Sequence, residues 1–481
     1  MDAEGRIAEL LEALADKDRQ LAEKDRQIAE LTARVADLEK KLALLMSELG
    51  RTSSNSGRPP SSDSPADRSK RAQKRDKSEK RRGGQPNHRG HRRELLPPGE
   101  VDDVVDIFPS HCEHCSTELQ ANADPHPIRF QLTELPAFEP HVTEFRRHTL
   151  RCGRCRKTTT APHDEAQIPA SPFGPRLMSF VGVLTGYYHL SRRRTASLLR
   201  DMMGVKVSLG AVSAVEERVS NAVAKPVHEA WQQAVASKVK HTDGTTWYQS
   251  GVMLQLWVIA TAVATVFKVL ANGQKETLAP LFGDASGVLV SDRATALTFW
   301  TMDRRQICWA HLLRKFVSFS ERDGPGGKFG RELLNYTGLL FEYWHQYREE
   351  QLTGELFRAW MAPLRQNVET LLERAAKSGL EHVSGSCRDI LDHRAALWTF
   401  ADEEGVEPTN NHAERELRAF VLWRKKSYGS QSERGNRFAE RMMTVAHTAR
   451  KQNKNVLEFI TGCCVAHVDG TTPPSLFDAA A

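Results

Sequence analysis

The chain has 481 residues, too many for one ordinary core and enough for two to four domains at roughly 100–200 residues each. Apolar residues make up 40% of it, and Lys plus Arg exceed Asp plus Glu by 67 to 61, a net charge of +6. That excess is modest, so its distribution decides its meaning: clustered, it points to nucleic acid; spread evenly, only to solubility. A secreted disulfide framework is excluded, because eight cysteines in so long a chain are too sparse.

The charged start lacks the basic-then-apolar order of a secretory leader. It predicts instead a coiled coil over 1–50. Ile7, Leu14, Leu21, Ile28, Val35, Leu42 and Leu49 recur every seven residues, and Leu10, Leu31, Leu38 and Leu45 fill the second apolar heptad position. Lys17 and Lys24 interrupt that second position, weakening the coil or setting its register. Such a helix would run roughly 70 Å at 1.5 Å per residue. Its regularity predicts a homo-oligomer.

Residues 51–98 cannot build a core and read as a flexible basic linker. Arg51 to Pro65 is mostly Ser, Pro, Asn and Gly. Arg68 to Arg82 then holds nine Lys or Arg in fifteen residues against Asp76 and Glu79. Such an arm, with Arg71, Lys74, Arg75, Arg81 and Arg82 among its cations, would neutralise DNA phosphates and release counterions.

Residues 99–170 carry two Cys-x-x-Cys pairs, Cys112 with Cys115 and Cys152 with Cys155, 36 residues apart. Each pair can present two thiolates to one ion, and two pairs complete a tetrahedral structural Zn²⁺ site. Ile128 to Phe130 and Val142 to Leu150 are predicted strands that would return the chain to close it. His111 and His114 flank the first pair as substitute ligands or surface groups. Redox dithiols and buried free thiols are the competing readings.

Residues 171–235 read as helical. Ser191 to Met203, opening on Arg192, Arg193 and Arg194 and stopped by Gly204, and Leu209 to Val219, entered after Ser208, match a helix-turn-helix outline that would bind DNA. The outline is one that many helical pairs satisfy.

From Lys238 the pattern turns to strands. Val252 to Phe267 is mostly apolar, but it is shorter than the roughly 20 residues of a membrane span and rich in β-branched residues, which favours buried strands. The chain is therefore expected to be cytoplasmic, with no membrane partner. Val239 to Thr245 reads as a strand carrying Asp243, followed by strands Val252 to Thr261 and Val263 to Ala271. Then come a helix Lys275 to Phe282, a strand Val288 to Ser291 running into Asp292, a strand Arg305 to Trp309 and a helix His311 to Phe319. This succession is the outline of an α/β RNase H fold. A helical insertion over about 320–400 precedes a helix opened by Asn410 or Asn411 and carrying Glu414. The catalytic domain is expected to span 236–455, with 456–481 a tail.

Asp243, Asp292 and Glu414 form a candidate triad for Mg²⁺ or Mn²⁺. Two hard cations about 3.5–4 Å apart can activate the attacking oxygen and stabilise the leaving one in an in-line displacement at phosphorus. Three crowded acids repel one another, and cations relieve this. Singly, each acid has a plain structural reading: Asp243 ends a strand, Asp292 caps a helix, Glu414 pairs with Arg418 four residues on. Glu416 points about 200° around the helix from Glu414 and is expected to be dispensable for cleavage and joining. Arg418 and Lys425 share the stripe of Glu414 and would hold DNA phosphates nearby.

The chain resembles the transposases of the insertion sequence 66 family over nearly its whole length. The resemblance is carried by Asn55-Ser56-Gly57-Arg58-Pro59-Pro60-Ser61-Ser62-Asp63, Gly83-Gly84-Gln85-Pro86 with Gly90-His91, and the paired cysteines. It continues through Cys308-Trp309-Ala310-His311 with Arg314-Lys315-Phe316, and Asn410-Asn411-x-Ala413-Glu414-Arg415 with Arg424-Lys425. It implies a DDE transposase of the bacterial nucleoid that acts on terminal inverted repeats and target DNA, with Asp243, Asp292 and Glu414 catalytic. It also implies a zinc-binding cysteine module and, for some members, accessory transposition proteins. The family commonly has Asp-Glu-Thr at the first acid, where this chain has Asp243-Gly244-Thr245. It often has Gly-Tyr after the second, where this chain has Arg293-Ala294. Two other readings of the residues stand beside it: a nuclease or resolvase that cuts without joining, and a zinc-containing DNA-binding regulator.

Overall fold

A computed structural model of the chain describes residues 16–35, 37–38, 52, 94–162 and 168–477. The basic arm, with Arg71, Lys74, Arg75, Arg81 and Arg82, lies outside the described residues, as do Ile7, Leu14, Leu42 and Leu49 of the heptad pattern. Residues 16–35 form a helix whose apolar stripe faces solvent, Leu21 at 58% and Ile28 at 61% exposure.

Residues 94–162 have little regular structure. The predicted strand at Ile128 to Phe130 is not formed, and the predicted Val142 to Leu150 shrinks to its end. There β1 (Thr149–Arg151) pairs antiparallel with β2 (Thr158–Thr160), with Cys152 and Cys155 in the turn between them. The physical reason is visible in the side chains: Ile128, Phe130 and Leu132 are exposed, so no packed face rewards strand formation.

The remainder is a mixed α/β body. Helices α1 (Pro175–Gly182), α2 (Arg192–Met203), α3 (Leu209–Ala222) and α4 (Ala224–Ala236) come first. The predicted punctuation holds: Ser191 and Ser208 cap α2 and α3 through their hydroxyls, and Gly204 takes φ 66° to end α2. However, α3 buries Val212, Val215 and Val219 in a cluster shared with Trp257, Ile259 and Leu289 of the sheet. Its apolar face thus belongs to a cluster that also holds sheet residues.

The sheet has the order β5-β4-β3-β6-β7, built from β3 (Val239–Gln249), β4 (Val252–Ala260), β5 (Thr265–Leu270), β6 (Val288–Ser291) and β7 (Arg305–Ile307), with α5 (Lys275–Phe282) between β5 and β6. β3, β4 and β5 are antiparallel neighbours; β3 with β6, and β6 with β7, are parallel. The apolar run checked as a membrane span is β4 and the start of β5. Among the described residues no helix is long and apolar enough to cross a membrane.

After β7 come α6 (Trp309–Ser320) and the predicted insertion, which is α7 (Gly324–Arg348), α8 (Gly354–Lys377), α9 (Ser384–Asp392) and α10 (Thr399–Asp402). Its core joins α6 to Val288, Val290 and Ile307. Then α11 (Asn411–Ser427) and α12 (Glu433–Lys451) cover Leu256, Val258 and Phe267 on the same face. The edge strand β5 is sealed by α12. Glu440, Thr444 and Thr448, spaced four apart on one stripe, accept the backbone N–H groups of Val269, Phe267 and Thr265 at 2.7, 3.1 and 3.1 Å.

The segment expected to be a tail is α13 (Val456–Val468). It buries Phe459, Ile460, Cys463 and Cys464 against the first core cluster, and Leu476 beyond it is also buried. Four apolar side chains on one short helix give it a packing role.

Candidate active site

Parallel pairing matches Val239 with Val288, Lys240 with Leu289 and His241 with Val290. Carried two residues on, this register sets Asp243 beside Asp292. Asp243 is also the cross-strand partner of Val258, and Val258 lies in the cluster covered by α11 and α12. Period-two alternation therefore points both aspartates to the face that α11 covers.

Cys308 and Trp309, tied to the end of β6, anchor the approach to α11. Cys308 N–H donates to the Ser291 carbonyl at 2.8 Å, Trp309 N–H to the Pro408 carbonyl at 2.9 Å, and Asn410 N–H to Cys308 Sγ at 3.1 Å. Asn410 precedes the helix as predicted, but its side chain makes no cap; it donates instead to the Thr242 carbonyl at 2.8 Å. Glu414 stands one turn further on.

Burial, then the charges of Asp292 and Glu414, push the Asp243 carboxyl up to about 7; the Gly244 N–H at 2.8 Å and Arg314 act the other way. The three acids thus sit within one another's field. Asp292 accepts Ala294 N–H at 2.9 Å, and the buried Arg305 guanidinium holds the backbone beneath it through the Asp292 carbonyl and Ser291 hydroxyl at 3.0 and 3.1 Å.

The basic side chains beside Glu414 come from α6 rather than from its own helix. Arg314 Nη2 and His311 Nδ1 lie 3.6 and 3.7 Å from Glu414 Oε1, and neither makes a hydrogen bond to it. Glu414 Oε1 and His311 Nδ1 are buried without any hydrogen-bond partner. Residues sequence reasoning left in the motif alone, His311 and Arg314, therefore belong to the site; their one-turn spacing after Cys308 was the available signal. Among the described residues, one group of metal-ligating side chains has its ligand atoms within 4.8 Å of one another: Cys308, His311 and Glu414. Burial pushes the Cys308 thiol up to about 11 and the His311 imidazole down.

The other expected residues are scattered. Arg418 and Lys425 are exposed on α11, and Arg193 and Arg194 on α2. Arg192 is committed to the buried Glu216 of α3 at 2.6 Å. Each cysteine pair forms a tight turn: Ser116 N–H bonds the Cys112 carbonyl at 2.8 Å and Arg156 N–H the Cys152 carbonyl at 2.9 Å, with Ser116 and Arg156 both at φ 57°. Yet no three of the four sulfurs lie within 4.8 Å of one another. On the far side of α11 from Glu414, Glu416 lines a cleft of about 340 Å³ with Tyr187, His447, Arg450 and Lys451.

The family profile described as "Transposase IS66 family" matches residues 170–438, more than half of the chain. This chain belongs to the IS66 family of transposases. The match covers the sheet, both aspartates, α6, the insertion and Glu414. The family implies divalent-metal use and DNA as the partner. A second profile, a family of unknown function designated DUF6444, matches residues 5–94, the heptad region and the basic linker. No curated protein matches the chain. Two departures of the transposase from its relatives' habits have local explanations. Gly244 lies opposite Trp257, and a Cβ there would meet the indole at 3.0 Å, so the ring fills the space a side chain would take. Arg293, after Asp292, donates to Asp389 of the insertion at 2.8 Å.

Proposed function

We propose that this transposase cleaves DNA at the ends of its element and joins them to a target, using Asp243, Asp292 and Glu414 on an RNase H-like sheet. The observation that carries this reading is the register: two aspartates on adjacent parallel strands, on the face covered by a helix whose start is pinned to the same strands. The strand order, with three antiparallel strands followed by two parallel ones, supports the fold assignment.

The residues present fit hard divalent cations. The donors are carboxylate oxygens, one of them buried and unpartnered, and burial, then like charge, raises another toward neutrality. Bound there, Mg²⁺ or Mn²⁺ would activate the attacking oxygen and stabilise the leaving one. The protein's own part is positional. Arg305 fixes the Asp292 backbone, Asn410 fixes the approach of α11, and Arg314 supplies fixed positive charge beside Glu414. The basic arm with Arg71, Lys74, Arg75, Arg81 and Arg82 would supply sequence-indifferent DNA affinity, with Arg193, Arg194, Arg418 and Lys425 adding phosphate contacts. Arg192, held by Glu216, is the weakest of that set. The exposed stripe of the N-terminal helix supports self-association of the coiled coil. Cys112, Cys115, Cys152 and Cys155 would close on one structural Zn²⁺.

The test is an oligonucleotide carrying the inverted repeats that flank this coding region, incubated with the full chain and Mg²⁺. Cleaved and joined products are expected from the wild type. Glu414→Gln and Asp243→Asn should bind the ends but lose about 10²–10³-fold in both steps, as several kcal/mol of transition-state stabilisation would require. Cleavage without joining would make the protein a nuclease; near-normal strand transfer by Glu414→Gln would overturn the triad.

A further inference from the structure

Cys308 and His311 are separated by two residues at the start of α6, a spacing at which one turn can present a sulfur and an imidazole to a single ion. Glu414 completes a ring of ligand atoms that all lie within 4.8 Å of one another. The His311 Nδ1 to Glu414 Oε1 separation is 3.7 Å. A tetrahedral ion with bonds of about 2.0–2.3 Å holds its ligands roughly 3.3–3.8 Å apart. Those two atoms are buried and make no hydrogen bond, so each keeps a lone pair available to an ion. The third, Cys308 Sγ, accepts the Asn410 N–H at 3.1 Å, a bond that also suits a metal-bound thiolate.

We propose that Cys308, His311 and Glu414 form a separate site for a thiophilic divalent ion of the Zn²⁺ class, and that filling it withdraws Glu414 from the carboxylate triad. The sulfur, nitrogen and oxygen donor set selects such an ion over Mg²⁺, which takes oxygen ligands in octahedral array. A thiolate and a carboxylate balance the ion's two charges, so Arg314 at 3.6 Å from Glu414 Oε1 faces a neutral cluster. Three protein ligands leave a fourth position for water. The binding half of this proposal stands on the three side chains alone. The inhibitory half rests on Glu414 being the third acid of the triad.

The experiment uses the full chain, stripped with chelator, loaded with Zn²⁺, freed of excess ion and analysed for metal. The wild type is expected to retain about one zinc per chain more than Cys308→Ser and more than His311→Ala, while Asp243→Asn retains as much as the wild type. His311 is partly exposed and serves if Cys308→Ser does not fold, which thermal unfolding in chelator reports. Equal zinc content in the wild type and the folded variants overturns the site. In Mg²⁺-dependent cleavage, with each protein compared with its own zinc-free rate, Cys308→Ser should need about tenfold or more zinc for half-inhibition than the wild type. Equal sensitivity overturns the inhibitory half. Undiminished cleavage by Asp243→Asn, with zinc stoichiometry as expected, would instead sink the triad and leave the site standing.

Discussion

The side-chain amide of Asn410 donates to the backbone carbonyl of Thr242 at 2.8 Å, one residue before Asp243 on the same strand. A helix-capping residue has been diverted to tie the helix of Glu414 to the strand of the first aspartate. Asn410 is fully buried, and its other amide atom, Oδ1, has no hydrogen-bond partner. Asn410→Ala leaves the Thr242 carbonyl without its side-chain donor, a loss of about 1–3 kcal/mol. The expected result is a lowered urea midpoint together with a fall in cleavage rate that persists at temperatures where the variant is fully folded. Asn410→Asp, which keeps the shape but cannot donate when ionised, should show the same rate defect. A rate that recovers fully once folding is ensured would reduce Asn410 to a stability residue.

The cysteine module carries a second prediction. Its two turns share one conformation, down to φ 57° at Ser116 and Arg156, while apolar residues such as Ile128 and Phe130 lie exposed between them. A segment that buries so little needs another source of order, and a four-thiolate ion provides one. Cys112→Ser and Cys152→Ser in the full chain should each lose about one zinc relative to the wild type, independently of any loss at Cys308. Protease sensitivity of residues 94–162 should rise in both variants. Unchanged zinc content would refute the shared site.

Much of this fold was legible because its signals are local. Lys275–Phe282 and Val288–Ser291 begin and end where the sequence predicts, since a Gly, an apolar run or an acid marks each limit. Asp292 was legible for the same reason, being a carboxylate directly after the apolar strand Val288–Ser291. What was hidden depends on packing between distant segments. No periodicity in α3 announces that Val212 and Val219 join the cluster that also holds Trp257 and Ile259 of the sheet. α13 reads as a tail until Phe459 and Ile460 are seen in the core. The partners of Glu414 were sought on its own helix, at Arg418, because spacing of four is visible in sequence. Arg314, a hundred residues earlier, is brought there only by α6.

Gly244 gives a test of how the transposase departs from its relatives. The position faces Trp257 across β4, and a Cβ would approach the indole to 3.0–3.1 Å. Gly244→Glu, which gives the Asp-Glu-Thr run that the resemblance leads one to expect, should destabilise by about 1–3 kcal/mol through overpacking. The Tm of Gly244→Glu is expected to fall below that of the wild type, and the penalty should shrink in a Trp257→Leu background. An equal penalty in both backgrounds would show that the indole is not the cause.

The last prediction concerns Glu416, which sequence spacing alone marks as dispensable. It does face away from Asp243 and Asp292, but toward a buried charge network. His447 Nδ1 bonds its carboxylate, Lys451 Nζ lies 3.2 Å away and His412 Nε2 3.7 Å away, with Glu416 only 16% exposed. Burial alone would raise the carboxyl. The nearby His412 imidazole and the hydrogen bond from His447, then the charges of His447 and Lys451, outweigh it and hold Glu416 well below the usual carboxylate range. A depressed folded-state value means the unfolded chain takes up the proton more readily. The stabilisation is therefore full above the unfolded value of about 4.3 and is lost as pH falls below it. Glu416→Gln removes one partner of a buried network and should cost about 3 kcal/mol at pH 7. Urea unfolding at pH 7, 5 and 3.5 should show the gap between wild type and variant narrowing at the lowest pH, because the unfolded wild-type chain there takes up a proton that the folded one still refuses. At a temperature where it is folded, Glu416→Gln should still cleave in Mg²⁺. A stability gap that stays constant from pH 7 to 3.5 would mean that the ionised carboxylate is not what holds α11 to α12.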